Sequence, residues 1–354
     1  MIHPAQFEKA HRYRTATRTR YTVAMRERAG RMMLVALLPG LLAGAAHAFD
    51  SQGHRGARGL APENTLEAFA RALSIGVTTL ELDLAMTKDD VLVVSHDRSL
   101  NPDHTRGPDG QFLDRQGPAI RSLTLAEVQR YDVGRLKPGS NYAASLPEQR
   151  PADGARIPAL TELFDLVKRV GADHVRFNIE TKITPTSGAE TPDPETFAAA
   201  VARAVRDAGL AARVSVQSFD WRTLVALKGI APEIERVCLT AEALNFDTIQ
   251  RHQVGPSPWT AGLDVDEVEG SVPHIVAAVG CQVWSPLYRN AKPDDIAAAK
   301  RLRLKVLPWT VNERADMDRL IALGVDGLIT DYPDRLRAVM AEREIPLPQQ
   351  VPAR

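Results

Sequence analysis

The feature of this chain that most constrains its fold is a regular alternation of short apolar runs with amphipathic stretches. Strand-length runs lie at 51–55, 79–85, 91–96, 175–181, 214–219, 236–240, 282–285, 305–310 and 326–330. Helical patterns at 65–75, 159–170, 194–208, 221–228, 241–251, 272–279, 293–302 and 313–323 separate most of them. Strands that alternate with helices pair in parallel, each helix serving as the crossover. The exception is "TKDD" between the second and third runs, too short for such a crossover, so 79–96 reads as an antiparallel hairpin. Eight parallel strands remain, which predicts an α/β protein of the TIM-type (β/α)8 barrel class. Residues 98–158, rich in Gly, Pro, Asn, Asp and Arg, read as an irregular insertion on the barrel's C-terminal face without a core of its own. The barrel is expected over 49–341, followed by a loose tail at 342–354.

The first 48 residues stand outside this rhythm. Eight Lys or Arg and two Glu precede the apolar run "MMLVALLPGLLAGAAHA", which ends in Ala46-His47-Ala48, small residues at the positions a signal peptidase inspects. Residues 1–48 therefore predict a secretory signal peptide; a start at Met25 would give it a standard length. The implied address is export, to the periplasm or beyond it. The run is too short and too broken by Pro and Gly for a stable membrane span. Without these residues the chain carries 36 Lys/Arg against 42 Asp/Glu, a net of −6, with no basic stripe for nucleic acid. Export would permit a bond between Cys238 and Cys281, but each sits in a strand-like run and reads as a buried free thiol.

The chemistry-bearing residues gather where strands end, the face on which such barrels place active sites. Glu81 and Asp83 alternate with Leu80, Leu82 and Leu84, so both acids point to one face, into the barrel, and the leucines face the helices. Glu180 repeats the arrangement between Ile179 and Thr181. Three inward carboxylates repel one another and resist desolvation unless a cation joins them. Without sulfur or clustered histidine ligands, the set suits a hard divalent ion, Ca²⁺ or Mg²⁺. Lys182 and Arg55 offer the other way to neutralise them, as a salt-bridge network. The hairpin returns His96 beside these acids, opposite residue 81 or 82, while His54 ends the first strand, so two imidazoles can divide acid and base work. In "GHRGARGLAPENT", Arg55 presents a fork suited to phosphate, and Asn64 or Thr65 caps the next helix. Glu63 either caps or orients Arg55 or His54; Arg58 reads as a solvated loop cation, and His104 and Arg106, near the mouth, as surface residues or headgroup contacts.

"HRG…PENT", "ELDLAMTKDDVLVVSHD", "NIETK", "QSF", "PWTVN" and "GVDGLITDYP", in this order from about 53 to 340, resemble the glycerophosphodiester phosphodiesterase family. The resemblance implies a TIM barrel, one divalent cation on Glu81, Asp83 and Glu180, and acid/base work by His54 and His96. It implies hydrolysis of a small-molecule glycerophosphodiester to glycerol 3-phosphate and an alcohol, with Arg55, Lys182 and Gln217 on the substrate and Trp309 lining the pocket. One departure follows His96-Asp97: members commonly carry "RTT", and here the run is "RSLNPDHTRG", which leaves the headgroup open. The alternatives are a phospholipase D-like hydrolase of lysophospholipids and a barrel that binds without catalysis. An exposed apolar rim would favour lipid; the insertion at 98–158 is mostly polar, which favours a water-soluble substrate.

Overall fold

The computed structural model describes residues 49–352. The expected signal peptide, 1–48, lies outside the described residues. The strands are β1 (Asp50–Gly53), β2 (Thr79–Met86), β3 (Leu92–Val94), β4 (Arg176–Thr181), β5 (Val214–Ser218), β6 (Glu235–Thr240), β7 (Glu242–Ala243), β8 (Phe246–Asp247), β9 (Val283–Pro286), β10 (Lys305–Val306) and β11 (Gly327–Thr330). The helices are α1 (Leu66–Ile75), α2 (Leu125–Val128), α3 (Asn141–Ser145), α4 (Leu160–Arg169), α5 (Pro194–Asp207), α6 (Trp221–Ile230), α7 (Val272–Val279), α8 (Pro293–Arg301), α9 (Arg314–Ala322) and α10 (Pro333–Glu342).

Eight strands run parallel in the order β10-β9-β6-β5-β4-β2-β1-β11, with β3 antiparallel on β2. The ring is drawn shut by Ile329 N donating to Pro308 O (3.0 Å) and Val311 N donating to Ile329 O (2.9 Å). This is the eight-stranded α/β barrel that the alternation demanded. Leu80, Leu82 and Leu84 are fully buried with Phe69 and Leu163 in the layer between strands and helices, and Glu81 and Asp83 take the inner face. Pro308, which has no N–H to give a ladder, accompanies a β10 shorter than the run at 305–310 suggested.

Four expectations need correction. The helix expected at 241–251 is a hairpin, β7–β8, followed by turns. Asp247 Oδ1 accepts from the N–H groups of Ile249 and Gln250 (both 2.9 Å), and Asn290 Oδ1 accepts from Glu242 N (3.0 Å), so side chains take the donors a helix would need. The insertion does have a small core: Leu100, Ile120, Val128, Val133 and Ile157 pack on Ala85 and Val93 of the β2–β3 hairpin. The cysteines are not free. Cys238 on β6 and Cys281 just before β9 form a disulfide, because β6 and β9 are neighbours and bring the two Cα atoms to 6.0 Å. The tail is not loose up to residue 351, since Ile345 and Val351 pack on the main core and Val351 N donates to Leu73 O (2.9 Å).

Candidate active site

The turn after β1 is built by sterics. A Cβ on Gly53 would lie 2.1 Å from Gly56 O, and Gly56 (φ 86°) would press one onto the Ala68 backbone at 2.7 Å. Arg55 between them adopts φ 49°, a left-handed conformation that a non-glycine residue rarely holds. In return its N–H donates to Glu81 Oε2 (2.8 Å) and its guanidinium enters the barrel mouth. Thr65 caps α1, accepting from Ala68 N (3.2 Å), which leaves the side chain of Asn64 free to donate to Asp83 Oδ2 (2.8 Å). Glu63 orients Arg55, accepting from Nη1 at 2.6 Å.

Strand register assembles the acids. Asp83 on β2 pairs with Glu180 on β4, which pairs in turn with Gln217 on β5. One oxygen each of Glu81, Asp83 and Glu180 lie within 4.8 Å of one another, all buried. Gln217 Nε2 donates to Glu81 Oε1 (2.7 Å), and its own carbonyl accepts from Asn178 (2.8 Å). The amide thus orients Glu81 as well as lining the cavity. Lys182 Nζ reaches Glu180 (2.7 Å) and Asp83 (3.6 Å), and Arg55 Nε stands 3.3 Å from Asp83. Four carboxylates, Glu63 included, therefore face two cations. Burial, reinforced by the surplus negative charge, pushes Glu81 well above the carboxylate range and raises Glu180 to about 7, while Lys182 holds Asp83 low. Asp83 Oδ1 is buried without a hydrogen-bond partner. An orphaned oxygen within an over-acidic, all-oxygen donor set fits a divalent metal ion.

Both histidines are present at this mouth, each with Nδ1 on a carboxylate. His54 Nδ1 lies 2.6 Å from Asp331 and its Nε2 lies 4.0 Å from Glu81. His96 Nδ1 lies 2.9 Å from Asp97. Burial, with Arg55 and Lys182 nearby, lowers His96 to about 4; burial also lowers His54, against the pull of Asp331. A cavity of about 230 Å³ joins His54, Arg55, Glu81, His96, Glu180, Lys182, Gln217 and Trp309. It continues, through His96, Glu180, Lys182, Phe219 and Trp309, into an outer chamber of about 710 Å³. Trp309 Nε1 donates to Ser285 O (3.0 Å) and its ring meets Phe219 edge-on at 5.2 Å.

Sequence reasoning missed the residues that hold this machinery. Arg58 is not a solvated cation: it grips both oxygens of Asp331 (2.9 and 2.8 Å), and Asn312 donates to the same carboxylate (2.7 Å). His104 is half-buried, with Nε2 3.5 Å from Asp97, and Arg106 is tied to Asp132 and Asp153, because the insertion folds back over the mouth. Tyr142, also from the insertion, donates to Glu63 and accepts from Arg55 (3.4 Å) and Arg58 (3.3 Å). Only the position of Asp331 directly after the last strand signalled its place in advance.

Residues 54–335 match the glycerophosphoryl diester phosphodiesterase family. The chain belongs to that family. It is 31% identical to a glycerophosphodiester phosphodiesterase of Caldanaerobacter subterraneus over 80% of this chain and 94% of that one. A Bacillus subtilis glycerophosphodiester phosphodiesterase is 29% identical over 81% of this chain and 84% of its own. Among solved structures, a Silicibacter pomeroyi protein assigned to the same phosphodiesterases superposes with TM-score 0.75 at 33% identity, covering 84% of this chain and 95% of that one. A phosphodiesterase from Oleispira antarctica, in complex with the product sn-glycerol-3-phosphate, shares the fold with TM-score 0.59 at 23% identity, over 82% and 96% of the two chains. The family is one of phosphoric diester hydrolases, and this chain is an enzyme of that class. No helix among the described residues is long and apolar enough to cross a membrane.

Proposed function

We propose that this phosphodiesterase hydrolyses glycerophosphodiesters to glycerol 3-phosphate and an alcohol, with His54 and His96 as its acid and base. The observation that carries the reading is the pair of carboxylate-backed imidazoles on one cavity of about 230 Å³, beside an over-acidic triad and a buried arginine. The volume suits a glycerophosphate unit, and the product named for the Oleispira antarctica enzyme is that molecule.

Glu81, Asp83 and Glu180 would hold one divalent cation, Ca²⁺ or Mg²⁺, with Gln217 and Asn64 orienting two of the three. Bound there, the ion supplies Lewis-acid stabilisation of negative charge on phosphate oxygens. Arg55, fixed by Glu63, and Lys182 add fixed positive charge to the same end of the cavity. Because Nδ1 of each histidine is bound to a carboxylate, Nε2 is the nitrogen left to exchange protons with substrate. One imidazole takes a proton from the nucleophile, water or the glycerol 2-hydroxyl, and Asp331 or Asp97 stabilises the resulting imidazolium. The other protonates the departing alcohol oxygen.

The test uses enzyme stripped by chelation, offered glycerophosphocholine and glycerophosphoethanolamine, with glycerol 3-phosphate as the readout. Release that requires added Ca²⁺ or Mg²⁺ supports the reading. Undiminished release after chelation removes the ion from it, and no release with either ion removes the substrate class. Export of the mature chain to the periplasm belongs to the same proposal. A disulfide between Cys238 and Cys281 suits an oxidising compartment. Expression in an export-competent host should yield periplasmic protein beginning at Phe49; a cytoplasmic product that keeps residues 1–48 would overturn it.

A further inference from the structure

The interior of a parallel barrel is ordinarily filled by branched apolar side chains, and beneath the acids of this one it is not. Gln52 on β1, Asn178 on β4, and Ser215 and Gln217 on β5 are polar and buried. Asn178 and Ser215 pair with each other one layer below Glu180 and Gln217, two residues earlier on the same strands. The four side chains form one hydrogen-bonded row. Gln52 Nε2 donates to Asp50 Oδ2 (2.7 Å), and Asn178 Nδ2 donates both to Gln52 Oε1 (2.9 Å) and to Gln217 Oε1 (2.8 Å). Ser215 Oγ donates to Asn178 Oδ1 (3.0 Å), and Gln217 Nε2 ends the row on Glu81 Oε1 (2.7 Å). A carboxylate closes the row at each end, and an ionised carboxylate only accepts. Asp50 Oδ1 is met in addition by the hydroxyls of Thr78 and Thr79 (2.6 and 2.7 Å), and Glu81 Oε2 by Arg55 N (2.8 Å). Each glutamine must therefore turn its amide N–H to a carboxylate and its carbonyl to the middle. Two carbonyls that face one side chain need two N–H donors there, and the Ser215 hydroxyl needs an acceptor. A primary amide supplies all three, so Asn178 is the point at which the polarity of the row reverses.

We infer that Asn178 is a positioning residue of the cation site, acting through Gln217 to fix the carboxylate of Glu81. It touches neither the ion nor the substrate. Its donation to Gln217 Oε1 holds that amide with Nε2 upward, and Nε2 together with Arg55 N then occupies one lone pair on each Glu81 oxygen. A reversed Gln217 amide would place a carbonyl oxygen where Nε2 now lies, 2.7 Å from Glu81 Oε1. Two oxygens at that distance repel, and Glu81 would have to swing away from Asp83 and Glu180. The inference rests on the reading of Glu81 as a cation ligand and adds what decides its orientation. The two arms of the row differ in consequence. Gln52 is as buried as Gln217, yet it leads away from the acids toward Asp50, and without it Asn178 can still donate to Gln217.

The test titrates Ca²⁺ and Mg²⁺ alone into the chelated protein by calorimetry, with stability to denaturant measured on the same samples. Asn178→Asp keeps the shape of the side chain but sets an oxygen before the two carbonyls. It should weaken cation binding by about tenfold or more, the scale on which residues that orient metal ligands act. Gln217→Met should show a similar loss, and Asn178→Asp added to it should cost no more than about twofold further, since Asn178 works through that amide. Gln52→Met should lower stability while cation affinity stays within about twofold of the parent, which separates orientation from mere packing. Should Asn178→Asp fail to fold, Asn178→Leu, of similar volume and without donors, takes its place and should weaken the cation by about threefold or more. Parental affinity in the folded Asn178 variant overturns this inference and leaves the cation reading standing. A loss in Gln52→Met that matches the loss in the Asn178 variant, or a full further loss in the double variant, does the same. A parent protein that takes up neither ion overturns the cation reading and this inference together.

Discussion

The two histidines occupy equivalent chemical positions but very different structural ones. His54 is 11% exposed and its partner Asp331 fully buried, and both hang from ends of adjacent barrel strands, β1 and β11. Asp331 is gripped in turn by Arg58 and Asn312. His96 and Asp97 are each about one-third exposed, at 31% and 32%. They lie beyond the β2–β3 hairpin, where Asp97 is held by Asn101 (2.7 Å) and approached by His104, both from the insertion. One imidazole is thus positioned by the part of the fold that cannot vary without breaking the barrel. The other is positioned by the insertion that follows the hairpin. The lesson is that the barrel strands themselves hold His54, whereas the insertion holds His96.

The largest test of that comparison removes each ring. His54→Ala and His96→Ala should each lower kcat by roughly 10²–10⁴-fold, and a variant near parental rate would strip that residue of its role. The asymmetry itself is probed one residue further out. Asp331→Asn, which deprives a buried His54 and Arg58 of their carboxylate, should lose on the order of 10²-fold or more in kcat. Asp97→Asn, partly solvated and backed by neighbours, should lose about tenfold. Equal losses would erase the distinction. A third measurement concerns the acids between the two rings. With Glu180 raised to about 7 and Glu81 pushed up beside it, a cation must displace protons to bind, so affinity should rise with pH through about 7. The expected slope is about tenfold per pH unit for one displaced proton, read from cation titrations between pH 5.5 and 8; a flat profile would take Glu180 out of the ligand set. Smaller still is Tyr142→Phe, which removes the insertion's hydroxyl from Glu63, Arg55 and Arg58. It should raise KM a few-fold, consistent with about 1 kcal/mol for one hydrogen bond, and leave kcat nearly unchanged. At the bottom of the scale, reducing Cys238–Cys281 should lower the stability to denaturant by roughly 2–4 kcal/mol without altering kcat. Cys238 lies one residue from the cavity-lining Leu239, so its side chain faces the other side of β6.

What was legible in the sequence was what local periodicity encodes. Glu81 and Asp83 had to share a face because side chains alternate along a strand, and Leu80, Leu82 and Leu84 had to face the helices. Eight such strands separated by amphipathic helices leave few arrangements other than the barrel. Likewise "TKDD" could only be a tight turn, and that alone puts His96 near the acids. The segment at 241–251 misled because its apolar spacing matches a helix, while Asp247 and Asn290 supply competing hydrogen bonds, one of them from residues distant in the chain.

By itself, then, the sequence determined the strands, their inward acids and the two histidines, since each depends only on near neighbours along the chain. Tertiary structure alone decided the rest. It closed β11 against β1, so that Asp331 meets a histidine 277 positions away. It set β6 beside β9, so that two cysteines 43 residues apart bond. It folded the insertion over the mouth, so that Tyr142 and His104 became half-buried, and it aligned rings from three separate segments into one wall. Such contacts are fixed by strand order and loop path, and no periodicity in a one-dimensional pattern records either.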